Sequence, residues 1–243
     1  MSQYFYQYPP LIPGKLIERY KRFLADIELD TGEIVTAHCP NTGPMTGVSA
    51  PGSAVQISKS DNPKRKLAYT WEMIRIDKTW VGVNTALPNR AIKQALAQKL
   101  FPELTPRYTE VRSEVPYGEN KKSRVDFLLT GDDTQPPIYL EVKSVTLWEE
   151  DIALFPDTVT TRGQKHLREL MALIPNAKPI MLYFINRGDC TKFAPSDRYD
   201  PEYAKLLREA VAKGVEVLPY CFDITPEGIK FLGLAELDLT NSY

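Results

Sequence analysis

The stretch RVDFLLTGDDTQPPIYLEVKSVTL, Arg124 to Leu147, places an aspartate and then a glutamate-lysine pair inside runs that otherwise read as buried β-strand. SRVDFLLT and PIYLEVKSV are apolar enough for a sheet interior, and the turn chemistry of GDDTQPP between them predicts a hairpin. Side chains alternate along a strand, so Glu141 and Lys143 share one face about 7 Å apart, with Tyr139 and Val145, while Leu140 and Val142 point the other way. The hairpin brings Asp126 beside Glu141. Two adjacent carboxylates repel unless a cation sits between them. Oxygen-only ligands favour a hard ion, Mg²⁺ or Mn²⁺, with the Val142 backbone carbonyl as a further donor. Such an ion polarises a phosphodiester and acidifies a bound water, while the Lys143 ammonium orients that water or neutralises charge on the phosphate. The competing reading is a solvated salt bridge on a sheet surface; an apolar strand and an aspartate one hairpin away argue against it.

The flanking elements give the site a frame. LPNRAIKQALAQKL carries Ile92, Leu96 and Leu100 at helical spacing, YTEVRSEVPY reads as a strand, and TTRGQKHLRELMALI has an apolar stripe through Leu167, Leu170, Met171 and Ile174. KPIMLYFIN, DPEYAKLLREAVAKG and VEVLPYCF follow as strand, helix and last strand. The order αβββαβαβ predicts a mixed sheet covered by helices, an α+β or α/β arrangement, and matches the core of known metal nucleases. Gln164, on the edge of the helix's apolar stripe, is expected near Glu141, and Lys165 on the opposite, solvated side. His166, at the stripe's margin, reads as a satisfied structural residue. Glu114 is either an extra acid at the metal or a partner for an arginine such as Arg124.

Before residue 85 the pattern is β throughout. Phe23, Ala25, Ile27 and Leu29 alternate, Asp30-Thr31-Gly32 turns the chain, and Val35, Ala37 and Cys39 alternate again. With PGSAVQIS, LAYTWEMIRI and TWVGVNTAL this makes five short strands, the count of an OB barrel, although another five-stranded topology fits as well. The boundary falls near Asn84 to Leu87, giving domains 1–85 and 86–243. Basic residues Arg19, Lys21, Arg22, Lys64, Arg65 and Lys66 flank Tyr20, Phe23, Tyr69 and Trp71. They suit a groove that follows a phosphate backbone and stacks bases, or else a solvated barrel surface over core aromatics.

With 30 Lys+Arg against 31 Asp+Glu, any nucleic-acid binding must come from local basic excess. That excess lies in the first 85 residues, where ten basic residues face eight acidic ones. The longest apolar runs are strand-length, far short of the roughly 20 residues of a membrane span. No secretion signal is read in MSQYFYQYPP, so the cytoplasm is the expected compartment. Cys39, Cys190 and Cys221 have no paired spacing and read as buried thiols.

CPNTGPMTG (39–47), KRKLAYTWE (64–72), VGVNTALPNR (81–90), SRVDFLL (123–129), EVKSVTL (141–147) and FPDTVTTRGQKHLREL (155–170) together resemble the bacterial sugar fermentation stimulation protein family, SfsA, over nearly the whole chain. The resemblance implies an N-terminal OB domain joined to a PD-(D/E)XK restriction-endonuclease-like domain. It implies a DNA-binding protein tied by name to sugar-utilisation genes, either a Mg²⁺-dependent phosphodiesterase or an inactive, sequence-tolerant regulator of maltose-type genes. Nuclease-type roles carry over to Asp126, Glu141 and Lys143, with Gln164 as the helix contribution. The acid that many such nucleases have on the first helix is absent from residues 88–100, leaving Glu114 as its substitute or the role vacant. DNA, single- or double-stranded, is the expected partner, and whether the chain acts alone or as a homodimer stays open.

Overall fold

The computed structural model describes residues 4–118, 122–132, 134–240 and 243. Asp133, in the turn read between the two site strands, and Met1 to Gln3 of the leading stretch lie outside the described residues.

Strands β1 (Leu11–Tyr20), β2 (Leu24–Leu29), β3 (Ile34–His38), β4 (Ala54–Lys59) and β5 (Tyr69–Ile76) form a closed barrel. β1 pairs antiparallel with β2 and β4, β2 with β3 and β4 with β5; the circuit closes where β3 runs parallel to β5 at Ala37 and Tyr69. Leu16, Ala25, Ile27, Val35, Ala37, Ile57 and Trp71 fill the interior. The expected strand count holds, but its membership differs. The first strand is Leu11–Tyr20, which the sequence presents as a basic patch interrupted by Pro13 and Gly14. Gly14 permits close strand approach, since a Cβ there would lie 2.7 Å from both the Glu28 carbonyl oxygen and the Ile27 methyl. The segment expected as the fifth strand is instead β6 (Thr79–Gly82), which leaves the barrel from β5 and bridges to the second half of the chain.

After helix α1 (Leu87–Ala97) come β7 (Glu110–Tyr117), β8 (Ser123–Thr130), β9 (Ile138–Val145), β10 (Leu147–Glu149), β11 (Ile152–Phe155), helix α2 (Thr161–Met171), β12 (Lys178–Ile185), β13 (Lys192–Pro195), helix α3 (Pro201–Lys213), β14 (Glu216–Thr225), β15 (Gly228–Leu234) and β16 (Glu236–Leu237). The main sheet runs β14-β12-β9-β8-β7, parallel across its first three strands and antiparallel beyond, and β6 joins β14 to the barrel at the Ile224–Trp80 pair. One face packs Leu140, Val142, Ile180, Leu182 and Phe184 against α1. The other packs Val145, Met181, Tyr183 and Ile185 against α2 and α3. From Pro179 on, β12 is apolar because both of its faces are covered. VEVLPYCF is not the last strand: β15 and β16 follow, and β10, β11, β13 and β16 make a small second sheet that sequence periodicity does not reveal because each has two to four residues.

Candidate functional site

β8 and β9 stay in register only from Phe127–Leu140 to Leu129–Ile138. At the next position, where Asp126 would face Glu141, the ladder stops. Val125 packs on the α2 side and Phe127 on the α1 side, although alternation puts them together, so β8 rolls about its axis at Asp126. That roll turns the carboxylate sideways into the gap between the strands. Its Oδ2 accepts the Val142 backbone N–H at 2.7 Å, in place of a strand partner, and its Oδ1 accepts Asn89 Nδ2 of α1 at 2.7 Å. Within a strand, one residue's N–H and C=O point to the same side, so the Val142 carbonyl also faces this gap.

Glu141 is buried, at 3 % exposure. Its Oε1 takes Lys143 Nζ at 2.7 Å and is also bonded by His166 Nδ1 from α2. Its buried Oε2 has no hydrogen-bond partner among the described residues. Arg162 Nε contacts His166 Nε2 at 3.4 Å. A carboxylate oxygen only accepts, so Nδ1 is the donor to Glu141, and Lys143 Nζ lies 3.2 Å from the same ring nitrogen. One carboxylate oxygen is thus pinned by two donors and the other left open.

The two acids are shifted in opposite directions. Burial, reinforced by the Glu141 carboxylate, raises the Asp126 pKa to about 6. Burial also works to raise that of Glu141, but the Lys143 ammonium and His166 hold it below the usual carboxylate range. The oxygens open to a cation are Glu141 Oε2, the Asp126 carboxylate and the Val142 carbonyl. No cluster of three or more His, Cys, Asp or Glu side chains suited to a metal occurs among the described residues, so a cation here would complete its shell with water or substrate oxygen.

A cleft of about 390 Å³ opens at Asp126, lined also by Glu114, Lys122, Ser123, Arg124, Arg162, Lys165 and His166. Glu114 is exposed and lies across from Asp126 on β7, in the left-handed conformation with φ of 55°. Such backbone in a non-glycine strand residue stores strain of order 1–3 kcal/mol. Gln164 is directed elsewhere, its amide donating to both oxygens of Asp200 at 3.0 and 3.1 Å. Lys165, expected to face away, lines the cleft and reaches Ser123 Oγ at 3.0 Å. The contact that α2 makes with Glu141 comes from His166, whose place at the margin of the apolar stripe was the only available sequence signal. The rim of Lys122, Arg124 and Arg162 carried no signal, because a lone exposed cation is the commonest surface residue.

On the barrel, Arg19 donates to the carbonyls of Arg22, Asn41 and Gly43 at 2.8 to 3.0 Å, stitching the β1–β2 turn to the loop after β3. Lys21 and Arg22 are exposed in that turn, with φ of 49° and 66°. Lys64, Arg65 and Lys66 are exposed between β4 and β5, where Arg65 reaches Thr70 Oγ1 at 3.2 Å. Trp71 is a core residue donating to the Met73 carbonyl at 3.0 Å. Phe23 stands 47 % exposed, not inside, because the left-handed Lys21–Arg22 turn precedes it.

Residues 17–83 match the family model described as the SfsA N-terminal OB domain, and residues 86–228 that of the sugar fermentation stimulation protein RE domain. The chain belongs to the sugar fermentation stimulation protein family. It is 69 % identical over 235 residues to a sugar fermentation stimulation protein homolog of Rippkaea orientalis, covering 97 % of each chain, and 67 % identical over 236 residues to one of Crocosphaera subtropica, covering 97 % of this chain and 98 % of that one. It also resembles the solved structure of Pyrococcus furiosus SfsA in complex with Ca²⁺, with a TM-score of 0.86 and 25 % identity over 97 % of this chain and 99 % of that one. The family places the barrel as an OB domain followed by a mixed-sheet domain. No helix among the described residues is long and apolar enough to cross a membrane.

Proposed function

We propose that this chain binds DNA and hydrolyses its phosphodiester bonds with a divalent cation, Mg²⁺ or Mn²⁺, held by Asp126, Glu141 and the Val142 carbonyl. One observation carries this reading: Glu141 keeps one buried oxygen without a partner beside a second carboxylate that burial leaves uncomfortable as an anion. A cation relieves both. The all-oxygen donor set suits a hard ion, and the Pyrococcus furiosus relative was solved with one, Ca²⁺. The ion supplies a polarised phosphate and a bound water of lowered pKa. Lys143, fixed by Glu141, holds its ammonium where negative charge develops on the phosphate or orients the attacking water. His166 and Lys143 hold Glu141 by its Oε1, which leaves Oε2 without a protein partner among the described residues. Arg162, Lys122 and Arg124 attract the polymer's flanking phosphates.

A second reading, a regulator that holds DNA without cutting it, draws support from α1. Where many nucleases present an acid, this helix presents Asn89 to Asp126. Purified protein incubated with single- and double-stranded DNA and Mg²⁺ or Mn²⁺ separates the two. Hydrolysis that falls about 10²- to 10³-fold in Lys143→Met and Glu141→Gln is the expected result. DNA binding without any hydrolysis selects the regulator, and Asp126→Ala then leaves binding intact or tightens it by removing a negative charge.

A further inference from the structure

We infer that the nucleic acid taken by this site is single-stranded, and that it runs from the barrel turn at Phe23, across the loop at Val159, into the catalytic cleft. The inference rests on the nucleic-acid reading above and adds a path and a strandedness to it. A second cavity of about 320 Å³ is lined by Arg19, Arg22, Thr42, Gly43, Pro44 and Thr158. Thr158 belongs to the loop that enters α2, and Arg162 of the same helix lines the cleft. Three residues separate them, so a lining residue of one cavity lies within about 14 Å of a lining residue of the other, a few nucleotides at most.

Both ends of this path are basic. Lys21 and Arg22 stand exposed at the first, and Arg162, Lys165, Lys122 and Arg124 at the second. The acids that face it are Glu114 and Asp126 in the cleft, Glu169 beside Lys165 and the half-buried Asp157. Two of the most exposed large apolar side chains adjoin the same path: Phe23, 47 % exposed and next to Arg22, and Val159, 62 % exposed and next to Thr158. Their setting is preformed. Cys39 N donates to the Phe23 carbonyl at 2.8 Å, and Arg19 clamps the turn to the loop that forms the cavity wall. A duplex offers phosphates on its outside and hides its base faces, so it would use the cations and leave Phe23 and Val159 wet. An unpaired strand offers both phosphate and base, and aromatic stacking with an electropositive track is how single strands are held without regard to sequence.

The test is fluorescence anisotropy of the full chain in EDTA, which suppresses cleavage, with a labelled oligothymidylate of about 12 nucleotides and a duplex of equal length. Phe23→Ala is expected to weaken single-strand binding about tenfold and Val159→Ser less, with duplex affinity changed by less than about twofold and Phe23→Trp restoring the wild-type value. Arg162→Ala lowers both affinities. Single-strand affinity unchanged in Phe23→Ala and Val159→Ser, or equal losses for both polymers, overturns the path while leaving nucleic-acid binding in place. Wild-type protein that binds neither polymer overturns the nucleic-acid reading as well.

Discussion

Asp126 holds its proton to about pH 6, whereas an unfolded chain releases it near 3.8. Between those values the folded protein binds the extra proton, so the associated stability is present on the acid side and is lost as pH rises through about 6. At pH 7.5, without metal, a partly buried anion therefore strains the fold. Asp126→Asn is expected to raise stability there by about 1–2 kcal/mol and to do little at pH 4.5, with Asn89 turning its amide to accept from the new side chain. Thermal denaturation in EDTA across this range checks the sign. If the proposed cation site is real, adding Mg²⁺ at pH 7.5 is expected to raise the wild-type midpoint and to leave that of Asp126→Asn unmoved. The acidic pair and Lys143 were legible in the sequence because a period of two leaves no doubt about which side chains share a strand face. The helix was harder to read. Gln164 and His166 both border the apolar stripe of α2, and which of them meets Glu141 depends on how the helix is rolled against the sheet, which a third element decides.

That third element is α3, and its start is Asp200. Buried at 1 % exposure, this carboxylate caps α3 by accepting Tyr203 N at 3.0 Å, accepts Thr160 N at 2.8 Å where α2 begins, and takes the Gln164 amide. Two helix N-termini thus share one anion, each contributing unsatisfied N–H groups and the positive end of its dipole. Gly163 lets the helices meet, since a Cβ there would lie 2.8 Å from the Thr160 methyl and 3.0 Å from the Tyr203 ring. Asp200→Ala should cost about 2–4 kcal/mol in urea denaturation, against about 1 kcal/mol for Thr160→Ala, which removes only the bond to Gly163 N. The sequence announces the α3 cap plainly, an aspartate followed by proline, but the same residue's second duty to α2 involves a partner forty positions away. Long-range sharing of this kind leaves no local trace. β1 was obscured for the opposite reason: its local signals, Pro13 and Gly14, argue against the strand that barrel closure imposes.

Over the whole molecule, one sheet runs from the barrel into the second domain through β6 and β14. Trp148, from β10, packs on the barrel core against Gly47, and Arg187 lies over its ring at 3.7 Å. The three tryptophans, Trp71, Trp80 and Trp148, report on the barrel and this junction, whereas the three α-helices among the described residues lie beyond it. Tryptophan fluorescence and helical circular dichroism are therefore expected to change together in a single thermal transition, and two separated midpoints would count against a cooperative unit. The two-part organisation was legible from the change of pattern near residue 85, but the shared sheet was not, because β6 looks like any other barrel strand. The short link between the halves is tied at both ends: Asn84 donates to Glu72 of the barrel at 2.7 Å, and Asn89 donates to Asp126 at the same distance. The six residues from Asn84 to Asn89 thus connect a barrel carboxylate to the acid between β8 and β9, so a displacement of the barrel end of this link is expected to be felt at Asp126.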